Sequence, residues 1–234
     1  MFENDGAILK IQVKIALREK FYFIYTLILP TFMAFINKNQ YFQDNESIYM
    51  YWSYIIVTTI FNGFLINIIR LREGGFFKTL SYMMKSKHSI ILANLLVQCI
   101  VIQIEILLFN LIVTFFITPL SIFTLVHGFL VAFLATVICS AMLSILLVLK
   151  MKQIYFNWLI GCLFVIGIGA LGLHPVGVWH YFLSAFNPFQ TIYGIYQIPN
   201  VSNSYGFFML IIASVYLIIG GMIFKHVSIK SQLK

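Results

Sequence analysis

Residues 70–88, RLREGGFFKTLSYMMKSKH, lie between two long apolar segments, and their reading sets the reading of the whole chain. The run holds Arg70, Arg72, Lys78, Lys85 and Lys87 against one acid, Glu73. Phe76, Phe77, Leu80, Met83 and Met84 recur in it at helical spacing, which predicts a short amphipathic helix. Such a helix, held at a membrane surface between two spans, either lies in the lipid headgroups or docks on a soluble partner. Charge alone does not choose between these, because cytoplasmic loops are basic whatever they do.

The rest of the chain makes the flanking segments membrane spans. Of its 234 residues 61% are hydrophobic and 9% charged, with mean hydropathy +0.96. A soluble domain carries about 25% charged residues, so the composition is that of an all-α integral membrane protein. Six spans are expected near 21–37, 48–69, 89–117, 121–149, 154–173 and 205–224. A span needs about 20 apolar residues, so the first is short and the third and fourth are long enough to tilt. Pro30 is expected to kink the first. Residues 174–204 are long, uncharged and aromatic. Trp179, Tyr181, Phe182, Phe186, Phe189, Tyr193 and Tyr196 suit a membrane interface, so this region is expected to re-enter the membrane or lie on it as short helices.

Residues 6–20 read as an interfacial helix. Lys10, Lys14 and Arg18 form one basic stripe at 100° per residue, and Ile8, Leu9, Ile11, Val13, Ile15, Ala16 and Leu17 fill most of the remaining surface, interrupted by Gln12 and Glu19. The first twenty residues are polar, with no apolar core before a small-residue cleavage site, so no cleavable signal peptide is expected. With the N-terminus inside, all but Lys38 of the 15 Lys and Arg residues fall on the cytoplasmic side. That asymmetry predicts cytoplasmic termini. It also accounts for the net charge of +8 without a nucleic-acid partner.

Glu105 lies mid-span in the third segment, where a charge costs roughly 2.5–3.5 kcal/mol on insertion scales. Asn94, Gln98 and Glu105 fall within about 40° on a helical wheel, with Gln103 and Asn110 opposite. Such a stripe lines a substrate path or joins helices by hydrogen bonds of about 0.6 kcal/mol each. Polar residues on two faces favour the second, because they indicate a helix buried on several sides. In the fourth span Gly128, Ala132, Thr136, Ser140 and Ser144 recur every fourth residue, a spacing that lets backbones approach closely. Gly167, Gly169 and Gly172 lie in the fifth.

No catalytic constellation is visible. There is no HExxH, GxSxG or GxxxxGK[ST], and no second acid shares a span with Glu105. Cys99, Cys139 and Cys162 lie in separate apolar stretches without CxxC spacing, and the five histidines are scattered, so neither a disulfide nor a metal site is expected.

Three places give the chain a family resemblance. Arg18-Glu19 precedes Leu29-Pro30. Arg72-Glu73-Gly74 is followed by Phe77-Lys78-Thr79-Leu80. Asn187-Pro188-Phe189 stands before the last span. The whole length resembles the permease subunit of ABC-2 type ABC exporters, the group that includes drug, polysaccharide and bacteriocin-resistance permeases. The second place is similar to that family's Glu-x-Gly-x-x-x-x-Leu coupling segment, the third to its Asn-Pro segment. Lys85-Ser86-Lys87 stands where the family often has Thr-Pro or Ser-Pro, and no Arg follows Asn187-Pro188.

The resemblance implies a type V exporter-like fold in the plasma membrane: six transmembrane helices with an N-terminal interfacial helix. It implies a half-transporter, paired with a second copy or a sister permease. Separate ATPase subunits would carry ATP and Mg and dock on residues 70–88, with Arg72, Glu73, Phe76, Phe77, Leu80, Met83 and Met84 as the coupling residues. The low charge of the spans suits an amphipathic or hydrophobic cargo, such as a peptide or drug, or alternatively a lipid or polysaccharide. Two other classes stay open: a secondary transporter or channel subunit, which often shows paired repeats and broken helices, and a membrane enzyme, which would need a polar catalytic cluster.

Overall fold

The computed structural model describes residues 10–16, 20–38, 46–77, 79, 87–149, 151–171 and 177–226, and the described residues are helical with short connections. Helix α1 covers 10–16 and α2 covers Lys20–Ile36. Helix α3 runs as Glu46–Thr59, a π-helical Ile60–Ile66 and Asn67–Glu73. Then come α4 (Lys87–Phe116), α5 (Ile122–Leu143, with a 3-10 extension Ser144–Val148), α6 (Gln153–Leu171), α7 (Val178–Phe186), α8 (Pro188–Gln197) and α9 (Asn203–His226).

Five of these helices, α3, α4, α5, α6 and α9, are long and apolar enough to cross a membrane. At 17 residues α2 falls below the roughly 20 that a hydrocarbon core requires. It contains Pro30 without interruption. The expected second span ended at residue 69, but the helix continues to Glu73, so Arg70, Arg72 and Glu73 belong to its last turn. Gly75 adopts φ 71°, a left-handed conformation that favours glycine and turns the chain out of α3.

Helix α3 is the central pillar. It packs against α2, α4, α5 and α8, and 83% of its most hydrophobic stretch is buried, against 17% for α9. The small residues of α5 explain one contact. Gly128, Ala132, Thr136, Ser140 and Ser144 are all buried, and a Cβ on Gly128 would stand 2.6 Å from the Trp52 ring of α3. Lower on the same helix, Ala141 lies against Gly220 of α9, where a Cβ would come within 2.6 Å of its backbone.

Helices α7 and α8 account for residues 178–197, and their elbow is dictated by Asn187-Pro188. A residue before proline is driven out of the helical region, and Asn187 sits at φ −89°, ψ 113°. Proline then occupies the first turn of α8, where its missing N–H costs nothing. Asn187 Oδ1 accepts from the Phe189 amide (3.1 Å) and its Nδ2 donates to the Gly167 carbonyl of α6 (2.9 Å). Gly167 is needed there, since a Cβ would lie 2.7 Å from the Phe189 ring. Helix α8 enters the bundle, and Phe189 and Tyr196 are fully buried. This corrects their assignment to an interface layer, whereas Trp179, Phe182 and Phe186 do stay exposed. Asn187→Ala removes the cap and the cross-link together. It is expected to lower stability by about 2 kcal/mol, read as an earlier thermal transition in detergent, while Asn187→Asp, which keeps the cap, loses roughly half of that.

Candidate functional site

The polar stripe of α4 divides into two clusters. Nearer the Glu73 end of α3, Asn94 Nδ2 donates to the Phe64 carbonyl (3.3 Å), and Asn67 Nδ2 lies 3.3 Å from Asn94 Oδ1 and 3.0 Å from Gln12 Oε1. Gln12, which interrupts the apolar surface of α1 in the sequence, thus joins α1 to the bundle by a hydrogen bond. It is buried, while Ile11 and Val13 are exposed. Lys10 and Lys14 are exposed as the basic stripe requires, and Arg18 lies outside the described residues.

The second cluster surrounds Glu105, which is 1% exposed. Its Oε1 accepts from the Thr26 hydroxyl of α2, and its Oε2 accepts from the Thr59 hydroxyl of α3 (2.7 Å). Hydroxyl donors on both oxygens are what a carboxylate requires when water is absent. One acid thus ties three helices at mid-span. Thr26 has other acceptors within reach, the Tyr22 and Phe23 carbonyls at 2.9 and 3.0 Å, but its single proton forms the stronger bond with an acidic side chain.

A cavity of about 530 Å³ opens beside this cluster. Thr26, Thr59, Asn62, Gln98 and Glu105 give it a polar wall, and Val13, Ala16, Phe23, Val97 and Val101 are among its apolar lining. Its rim includes Ile24, Ile100 and Ile104, all exposed on the outside of the bundle. Gln98 presses on Gly63, where a Cβ would lie 2.1 Å from its Oε1. Gly63 sits in the π-helical Ile60–Ile66, a wide turn of the kind that recurs at functional sites. Gln98 and Glu105 therefore meet at the cavity, whereas Asn94 does not. Thr26, Thr59 and Gly63 were not singled out from the sequence. The available signal was the lone mid-span acid, which needs donors from neighbouring helices.

Substitution at Glu105 separates its parts. Glu105→Gln can still accept from one threonine and is expected to fold with a loss of about 1 kcal/mol or less, whereas Glu105→Leu leaves two buried hydroxyls facing a hydrocarbon chain and costs about 2 kcal/mol. Thermal melting of the purified variants tests the difference.

A second arrangement lies at the Glu73 end of α3. Arg72 is buried, and its Nη1 and Nη2 donate to the carbonyls of Leu147 (3.1 Å) and Leu149 (3.2 Å) at the C-terminal end of α5. Glu73 Oε1 accepts from the backbone N–H of Gln153 (2.7 Å), the first residue of α6. A cation on a helix C-terminus and an anion on a helix N-terminus each meet the complementary end of a helix dipole. Neighbouring residues of opposite charge thus clamp the end of α5 and the start of α6. The tandem phenylalanines divide: Phe77 is 1% exposed and belongs to the core, while Phe76 is 65% exposed. Of the described coupling residues, Arg72 and Phe77 are buried, Glu73 is half-buried, and Phe76 alone projects a large apolar side chain outward. Leu80, Met83 and Met84 lie outside the described residues. No family model, curated protein or solved structure matches this chain.

Proposed function

We propose that the chain is the permease subunit of an ATP-driven exporter of the ABC-2 type. The observation that carries this reading is the tied turn. Phe76 projects from a turn whose preceding residues, Arg72 and Glu73, hold the ends of α5 and α6. A push on that turn is delivered to three helices at once, as a coupling element requires. In this reading α2 is a short first span, giving six, and the turn and both termini lie on the cytoplasmic side of the plasma membrane. The ATPase subunits hold ATP and Mg. A second copy or sister permease and lipid share the exposed faces of α6 and α9. The cargo is amphipathic or hydrophobic, such as a peptide, drug or lipid.

One observation favours a second reading. A mid-span acid beside a π-helical turn and a cavity also suits a secondary transporter driven by an ion gradient. Affinity purification of the tagged chain from native membranes distinguishes the two. An ATP-hydrolysing protein is expected to co-purify. Because truncating a central aromatic anchor typically costs about 2 kcal/mol, Phe76→Ala is expected to weaken that association roughly 30-fold while leaving the permease folded. Equal recovery of the ATPase with Phe76→Ala would remove the turn from the mechanism. Recovery of no ATPase, with transport following a proton gradient, would favour the second reading.

A further inference from the structure

We infer that the cavity beside Glu105 is a binding site for a lipophilic monocation: a protonated amine carrying an apolar body, taken from within the bilayer. The inference stands on this chain alone, whether or not an ATPase drives it.

The first observation is charge. Glu105 is buried on the wall of the cavity, and both of its oxygens accept from hydroxyls. The two hydroxyls donate to Glu105 but carry no charge, and among the described residues no Lys, Arg or His forms an ion pair with it. An ammonium group entering the cavity would supply the opposite charge that favours the ionised carboxylate over the neutral acid in a medium that screens weakly.

The second observation is an unused amide. Gln98 is 4% exposed and has no hydrogen-bond partner among the described residues, although it lines the same cavity. The absence of a side chain at Gly63 lets the amide lie against α3, since a Cβ there would stand 2.1 Å from its Oε1. A ligand N–H donating to Gln98 Oε1 would give this amide the partner that the described residues do not.

The third is shape. About 530 Å³ falls within the range of small-molecule sites and far exceeds the space one ammonium needs, and most of the remaining lining is aliphatic or aromatic. The rim at Ile100 and Ile104 faces the side of the bundle where lipid tails would lie. A ligand concentrated in the bilayer can therefore enter sideways, its charged head leading toward Glu105.

The test uses the full chain in nanodiscs of zwitterionic lipid with radiolabelled dodecylamine as probe, empty discs providing the partition background. Saturable binding is expected, displaced by unlabelled dodecylamine and not by dodecanol or dodecanoate. Glu105→Gln should weaken it about ten-fold, the value of one charge-assisted contact. Ile104→Trp, at an exposed rim position that tolerates bulk, should abolish it by filling the mouth. A melting transition within a few degrees of wild type keeps both variants interpretable. Equal competition by dodecanol, or binding unchanged in Glu105→Gln, would mean that the cavity only holds an acyl tail. Failure of the folded wild-type chain to bind saturably would also overturn the proposal.

Discussion

Arg72→Met is expected to be among the most damaging single changes at the Glu73 end of the bundle, lowering stability by about 3 kcal/mol, or roughly 5–10 °C in the melting temperature. Methionine nearly matches the volume of the arginine stem but donates no hydrogen bond. Both carbonyls, on Leu147 and Leu149, then lose the charged donor that closes α5. Hydrogen bonds to a charged group are worth about 1.5–3 kcal/mol each, and water reaching the partly exposed Leu149 recovers some of that. Arg72→Lys should restore only about half, because a single ammonium cannot reproduce the planar fork that spans two carbonyls. Loosening the clamp should also free the start of α6, so a cysteine placed at Met151 is expected to react faster with a maleimide in the detergent-purified Arg72→Met protein than in the parent.

Trp52→Ala is expected to cost more, about 3–5 kcal/mol. Trp52 is fully buried where α3, α4, α5 and α8 converge. Its ring lies 5.0 Å from that of Tyr196 and 5.5 Å from that of Tyr49, and Gly128 has no side chain so that the indole can fit against α5. Its Nε1 donates to Asn110 Oδ1 (2.8 Å), which explains the polar residue on the second face of α4. Trp52→Phe keeps most of the packing and strands that amide oxygen, so it should lose about 1–3 kcal/mol. Thermal melts of the two variants, with Asn110→Leu combined with Trp52→Phe, separate packing from hydrogen bonding: the double variant should recover part of what Trp52→Phe loses.

The helices themselves were legible in the sequence, because long apolar runs and small residues every fourth position are local patterns. Gly128, Ala132, Thr136, Ser140 and Ser144 are all buried, and five long apolar helices overlap five of the six expected spans, with ends shifted by up to four residues. What the sequence withheld depends on partners far along the chain. Arg72 reads as one more charge on a basic loop, since nothing near it announces carbonyls more than seventy residues away. Phe76 and Phe77 stand 100° apart on a helix, so spacing cannot say which one points into the bundle; the left-handed Gly75 just before them sets the direction in which they leave α3. Aromatic composition suggested an interface for Phe189 and Tyr196, but Asn187-Pro188 turns α8 inward over the gap left by Gly167. In the Glu105 cluster the acid was visible and its donors were not, because threonine in an apolar span usually bonds its own helix.

The claim that the Phe76 turn is the point of drive can be tested in native membranes by placing a photo-cross-linking phenylalanine analogue at position 76, with the same analogue at buried position 77 as the control. A cross-linked product is expected at position 76 between this chain and an ATP-binding protein, lost when that protein is depleted, and only products within the chain at position 77. Cross-links from position 76 to lipid alone, in membranes where the chain is folded and transport is running, would contradict it.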